Sequence, residues 1–346
     1  MQEGLIQSQS KLVTEETALK CENNQHEYEV VEVYTGGTRC VCQKCGKEKH
    51  TSTLFSQDEQ INNTNINLEK LIGTIIGGKY ELLKLIGMGG LSKVFLALDN
   101  RTNKLWAVKV FDRTNKNSAV FEKIFMTEFM LIRYLEHPAI PRIVDFINTD
   151  DYLAVVMDYI EGETLETLVK RSGPQPVEKV VNWTEQLCDV IGYLHSRNPA
   201  HIYRDVKPAN IMLKPDGKIM LIDFGITRLY DENAEKDENN VGRKGYASPE
   251  QYGGRGQTDA RSDIYSIGVT MHRLLTGFDP TVSTSLPDIR ELNPQLPSHL
   301  SYVIKKCTEF DRGNRYKSCM ELKKDLYPPQ RKGIFNFFKD SCFLNR

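Results

Sequence analysis

The chain has 346 residues, 45 Lys and Arg against 46 Asp and Glu, a net charge of −1 and 40% hydrophobic residues. That length accommodates one large or two medium domains with a sizeable core, and the charge balance excludes an overall electrostatic drive toward nucleic acid or anionic membrane. No run of about 18 apolar residues occurs, and the start, MQEGLIQSQSKLVTEETALK, lacks a basic segment followed by an apolar one, so a soluble, cytoplasmic chain is expected.

Residues 1–20 are polar and read as a flexible N-terminus. Residues 21–50 gather four of the eight cysteines, Cys21, Cys40, Cys42 and Cys45, beside His26 and His50. Cys21-x4-His26 and Cys42-x2-Cys45-Gly46 are separated by strand-like sequence, HEYEVVEVYTGGTRCV. A C-x-x-C followed by glycine makes a tight turn that brings both thiolates to one tetrahedral ion. A zinc-ribbon-like module with ligands Cys21, His26, Cys42 and Cys45 is therefore expected, with Cys40 and His50 as spare ligands; the competing reading is reduced thiols in a disordered extension. Arg39, Lys44, Lys47 and Lys49 are diluted by Glu27, Glu29, Glu32 and Glu48, which favours a protein partner at this module over nucleic acid. The following stretch, 51–71, is rich in Asn, Gln, Ser and Thr and reads as a linker.

A folded domain is expected over 72–327. Its first part holds three short apolar runs, KYELLKLIG, KVFLALD and KLWAVKVF, that read as antiparallel strands. A helix is expected from about Val120 to Glu136, ended by His137-Pro138, then strands near Ile143–Phe146 and Leu153–Tyr159. After Gly162 the apolar spacing becomes helical in TLETLVKRS, VEKVVNWTEQLCDVIGYLHS, SDIYSIGVTMHRLLTG and LSYVIKKCTEF. The expected class is α+β, a small antiparallel lobe (about 72–158) followed by a larger helical lobe (about 161–327). Residues 328–346 form a Phe-rich tail containing Phe335, Phe337, Phe338 and Phe343.

Between the first two strands lies GMGGLSKV, with Gly87, Gly89 and Gly90, then Ser92 and Val94. Glycines at such a turn let backbone N–H groups approach phosphate oxygens. Because the loop joins two strands instead of opening a helix, it argues against a dinucleotide-binding fold. Lys109 falls within the apolar strand Ala107-Val108-Lys109, and Glu128 on the next helix is a carboxylate that can meet it. Further on, YRDVKPAN sets Asp205, Lys207 and Asn210 on one short loop, and Asp223 opens DFG.

In this order GMGGLSKV, AVKV, Glu128, YRDVKPAN, DFG, SPE at Ser248–Glu250, Asp263 and Arg315 resemble the motifs of eukaryotic-like bacterial Ser/Thr protein kinases. The resemblance implies the bilobal kinase fold and ATP- and Mg- (or Mn-) dependent transfer of the γ-phosphate to protein hydroxyls. It implies that Asp205 accepts or orients the substrate proton, Lys207 contacts the γ-phosphate, and Asn210 and Asp223 hold the metal. It places Lys109, supported by Glu128, on the α- and β-phosphates, and Ile86, Val94, Ala107, Met212 and Ile222 around adenine. Met157 stands at the gatekeeper position, and Asp158 to Ile160 form the hinge. Lysine two residues after Asp205 favours Ser/Thr over Tyr. Glu250 with Arg315, and Asp263, match architectural residues. Dimers of the small lobe occur among such kinases, so a homodimer is open to this chain.

The departures set the competing expectation, a catalytically impaired nucleotide-binding scaffold. Tyr203 replaces the usual histidine and Ser92 the third glycine, both mild changes. Arg243 stands in GRKGY where threonine is usual; it could pair with Asp205 or bind an acidic substrate. The loop YDENAEKDENN carries Asp231, Glu232, Glu235, Asp237 and Glu238, fixed negative charge that could stand in for a phosphate received by Arg204.

Overall fold

The computed structural model describes residues 28–34, 37–42, 48–51, 68–88, 92–114, 118–224, 227–229, 244–252, 257–283 and 285–328. Three strands near the N-terminus, β1 (Tyr28–Tyr34), β2 (Gly37–Cys42) and β3 (Glu48–Thr51), form an antiparallel meander, with Tyr28 opposite Cys42 and Arg39 opposite His50. Cys42 ends β2; Cys21, His26 and Cys45 lie outside the described residues, as do Gly89, Gly90, Arg243, the acidic loop and the Phe-rich tail.

The small lobe is a six-stranded antiparallel sheet. Its strands are β4 (Ile75–Ile76), β5 (Tyr80–Met88), β6 (Ser92–Asp99), β7 (Lys104–Asp112), β8 (Ile143–Asn148) and β9 (Tyr152–Asp158), in the order β4-β5-β6-β7-β9-β8. The three apolar runs expected as strands are β5, β6 and β7. Their alternation buries Leu82, Phe95, Ala97, Val108 and Val110 on one side. Helix α1 (Ser118–Ile132) stops earlier than the expected Glu136. It crosses β7 on the face of Phe111, whose ring lies 5.6 Å from that of Phe125. Burial of Phe125 and Ile132 sets which side of the helix faces the sheet, and so aims Glu128 inward.

The large lobe is helical. Helix α2 (Leu165–Ser172) starts at Thr164, whose hydroxyl accepts from the Thr167 N–H. Helix α3 (Val177–His195) buries Val180, Thr184, Leu187, Ile191 and Leu194 at helical spacing. Helix α4 (Ala260–Thr276) opens on an Asp259–Ser262 capping box and ends at Gly277 with φ 73°. It is buried nearly all round, so even Ser262, Asp263, Ser266 and Thr270 sit inside. Helices α5 (Ser298–Cys307) and α6 (Cys319–Asp325) complete the lobe; α6 was not read from the sequence, because seven residues are too few to show a period.

Short strands close the seam between the lobes: β10 (Glu163–Thr164), β11 (His201–Ile202), β12 (Ile211–Leu213), β13 (Ile219–Leu221) and β14 (Arg228–Leu229). Glycine is required where the chain enters β10. Gly162 has φ 144°, and a Cβ there would lie 2.1 Å from the Leu213 carbonyl oxygen.

Glu250, on the short helix Pro249–Tyr252, and Arg315 form the buried bidentate pair that ties that helix to the segment before α6, at 2.7 and 2.9 Å. The Ser262 hydroxyl donates to Glu250 Oε1 at 2.7 Å and Arg315 donates to three backbone carbonyls, so both charges are compensated. Removing one partner leaves the other charge buried alone. Arg315→Met is expected to lower unfolding stability by roughly 3–5 kcal/mol, measured by urea denaturation; a loss under about 1 kcal/mol would contradict this.

Candidate active site

Lys109 sits mid-strand on β7, opposite Val94 and Val155. Its Nζ donates to both carboxylate oxygens of Glu128, each at 2.6 Å, and lies 3.6 Å from Asp223 Oδ1. Glu128 is buried. Burial disfavours the ammonium, yet attraction by Glu128 and then Asp223 outweighs it, and the Lys109 pKa is raised. Lys109 is thus a fixed cation. Glu128 Oε1 also accepts from the Phe224 N–H at 3.2 Å, which joins α1 to the segment bearing Asp223. Asp223 has φ 68°, a left-handed backbone that side chains rarely adopt, and its side chain is 52% exposed. A strained residue with a half-exposed carboxylate beside a buried cation is placed for a ligand, not for packing.

The loop carrying Asp205 hangs from Asp263, which is fully buried on α4. Its carboxylate accepts from the Tyr203 N–H at 2.9 Å and the Arg204 N–H at 2.6 Å, and bonds His195 Nε2 at 2.7 Å. Arg204 has φ 64°, so these bonds hold a conformation that the loop would not take alone. Tyr203 is also buried. Its hydroxyl donates to the Ile222 carbonyl at 2.8 Å and its ring meets Phe224 edge-on at 5.2 Å. Tyr203 therefore supports the Asp223 segment from within the core. From the other side Gln251 accepts from Ser248 and donates to the Arg204 carbonyl at 3.1 Å. His195 and Gln251 were not singled out in the sequence, since each acts through partners more than 45 residues away.

Lys207 Nζ and Asn210 Nδ2 both donate to Oδ2 of Asp205, each at 2.6 Å. With Oδ2 so held, Oδ1 is left to accept the proton of a hydroxyl. Asn210 Nδ2 also donates to the Asp205 carbonyl; its amide oxygen is then the atom left for a cation. Burial raises the Asp205 pKa above the usual carboxylate value and nearby Asp223 adds to this, while Lys207 and Asn210 oppose it.

Ala107 is buried, Val94, Met157, Met212 and Ile222 are half-buried, and Ile86 is exposed. Met157 pairs with Ala107 across the sheet. Asp158 donates its N–H to the Arg142 carbonyl at 3.0 Å, and Arg142 holds its carboxylate at 2.9 and 3.1 Å, so this hinge side chain is structural. Ser92 is buried at the start of β6, opposite Phe111.

These groups fit a nucleotide and a divalent ion. Among the described residues a Cβ on Gly87 would meet only Val94, at an ordinary 3.5 Å, so packing does not require glycine there. The Asp223 carboxylate and Asn210 amide oxygen are hard donors suited to Mg²⁺, which takes one or two protein oxygens plus phosphates. Among the described residues no group of three or more His, Cys, Asp or Glu forms an all-protein cage.

The protein kinase domain family profile matches residues 80–327. The chain belongs to the protein kinase family. It is 33% identical over 269 residues to a probable serine/threonine-protein kinase of Clostridium perfringens, covering 74% of this chain and 39% of that protein. It is 34% identical over 271 residues to serine/threonine-protein kinase PrkC of Bacillus subtilis, covering 74% and 41%. It is 31% identical over 295 residues to serine/threonine-protein kinase PknB of Mycobacterium leprae, covering 78% and 47%. The chain thus spans less than half the length of these curated relatives. No helix among the described residues is long and apolar enough to cross a membrane.

The Lys207 ammonium lowers the Asp205 pKa, and the reaction needs Asp205 ionised. The acid limb of kcat/KM is therefore expected to move to higher pH in Lys207→Met, beyond any loss of rate; a pH–rate profile with the limb unmoved would contradict this role.

Proposed function

We propose that the chain transfers the γ-phosphoryl group of ATP to serine and threonine hydroxyls of proteins. The observation that carries this reading is the Asp205 carboxylate with one oxygen held by Lys207 and Asn210 and the other, among the described residues, without a hydrogen bond. Asp223 lies near enough to push the Asp205 pKa up and itself stands 3.6 Å from the paired Lys109. Asp205 orients the attacking hydroxyl and takes its proton at Oδ1 as the oxygen bonds to the γ-phosphorus and ADP leaves. Lys207 meets the charge on the moving group, and Lys109 steadies the remaining phosphates. Asn210 and Asp223 would hold Mg²⁺ or Mn²⁺, which neutralises phosphate charge when bound. Gly87, Gly89, Gly90, Ser92 and Val94 would cover the phosphates, with Ile86, Ala107, Met157 and Met212 against adenine and the backbone of Asp158 to Ile160 at its edge. Lysine at 207 and the names of the relatives support Ser/Thr specificity.

The direct test is transfer of labelled γ-phosphate from Mg-ATP to the chain and to a generic protein acceptor, with phosphosites mapped. Wild type is expected to label Ser and Thr, and Asp205→Asn to fall by at least about 100-fold, the lower end of the range for a lost general base. Nucleotide binding without transfer would favour the scaffold reading.

A second reading concerns the N-terminal meander. The pairing of Tyr28 with Cys42 puts the end of β2 beside the start of β1, two residues from His26 in sequence. This supports a zinc-binding module with Cys21, His26, Cys42 and Cys45 as ligands, docking a protein partner. About one zinc per chain is expected by mass spectrometry under native conditions, and none in Cys42→Ser/Cys45→Ser; equal metal in both would refute it.

A further inference from the structure

We propose that Arg113 is a positioning residue for phosphoryl transfer, acting through the Lys109–Glu128 pair; this rests on the kinase reading above. Arg113 follows directly after β7, four residues beyond Lys109. Its guanidinium reaches three ways. Nε donates to Glu122 Oε2 at 3.1 Å and Nη2 to Glu122 Oε1, a bidentate grip on the first half of α1. Nη1 donates to Asn148 Oδ1 at 2.6 Å and to the Thr149 carbonyl at 2.5 Å, in the turn between β8 and β9. The Arg113 N–H itself donates to the Asp151 carbonyl of the same turn at 2.9 Å. One side chain thus bridges the Lys109 strand, the Glu128 helix and the β8–β9 turn.

The bridge matters because of what else holds α1. Among the described residues, apart from the Lys109–Glu128–Phe224 contacts and Arg113 itself, the helix meets the sheet through apolar packing: Phe125 against Phe111, and Phe129 stacked on Phe146 at 4.5 Å. Such contacts let a helix slide or roll at small cost, whereas two parallel charge-assisted bonds fix direction and register. Glu122 lies six residues before Glu128, about 9 Å along the axis. The helix is therefore held at two separated points, which fixes its rotation relative to β7. With the Arg113 point released, Glu128 must hold α1 alone, and Lys109 spends part of its time unpaired.

The test compares wild type, Arg113→Ala and Arg113→Lys, each with and without Glu128→Gln. The readouts are single-turnover transfer from ATP and hydrogen exchange of the α1 amides. In the native background Arg113→Ala is expected to slow transfer roughly 10- to 100-fold, the scale of remote misplacement of a reacting group. In the Glu128→Gln background the same change should cost no more than about twofold, because the pair it acts through is already broken. Arg113→Lys, which keeps one donor to Glu122 but loses the fork, should recover part of the rate. Faster exchange in Arg113→Ala should be confined to α1, with β7 and β9 unchanged. Equal losses in both backgrounds, or faster exchange across the whole small lobe, would make Arg113 a general stabiliser and overturn the proposal. Should wild type itself transfer no phosphate, the functional reading fails separately, and exchange alone decides: faster exchange confined to α1 sustains the clamp, any other pattern overturns it.

Discussion

A lysine and a glutamate taken out of water together constrain everything around them. Neither Lys109 nor Glu128 could be buried alone, because the desolvation cost of a single charge is several kcal/mol. Each therefore demands the other at hydrogen-bonding distance, and that demand couples a strand to a helix that is also held by apolar side chains and by Arg113 on Glu122. The Phe224 N–H on Glu128 extends the coupling to the segment that carries Asp223. Small-lobe geometry and the Asp223 carboxylate are thus parts of one charge cluster.

The large lobe solves a different problem, which is to hold a strained loop still. Arg204 and Asp223 both adopt left-handed backbone without being glycine, and such residues persist only where their surroundings over-determine them. Asp263 supplies this from inside α4, with His195 of α3 fixing its carboxylate. Tyr203 then ties the loop to Ile222 by its hydroxyl and to Phe224 by its ring. The helices are apolar enough to bury Asp263 completely, so its bonds to the loop do not compete with water. The core of this lobe serves the chemistry by keeping one carboxylate dry.

Much of this was legible in the sequence, because phosphate chemistry uses residues that stand out locally. Gly87, Lys109, Asp205, Asn210 and Asp223 are polar or glycine residues at fixed short spacings amid apolar runs. The strands β5 to β9 and helices α2 to α5 showed clear periods. Less visible were contacts whose partners are far apart in the chain. His195 reads as an ordinary helix-terminal histidine until Asp263 is placed beside it, and Arg113 as a loop arginine until α1 and the β8–β9 turn converge on it. The end of α1 was overestimated because residues 133–136 continue a helical composition, while the chain turns toward Pro138. The positions of Arg243 and the acidic loop fall outside the described residues.

The central claim is that a buried, paired Lys109 organises the site for transfer. It is tested most directly by single-turnover phosphoryl transfer from Mg-ATP in Lys109→Met, beside its thermal unfolding. The expected result is a transfer rate lower by at least about 100-fold, on the scale of a lost electrostatic contact to the phosphates, in a protein that remains folded. Transfer at the wild-type rate by the folded variant would contradict it.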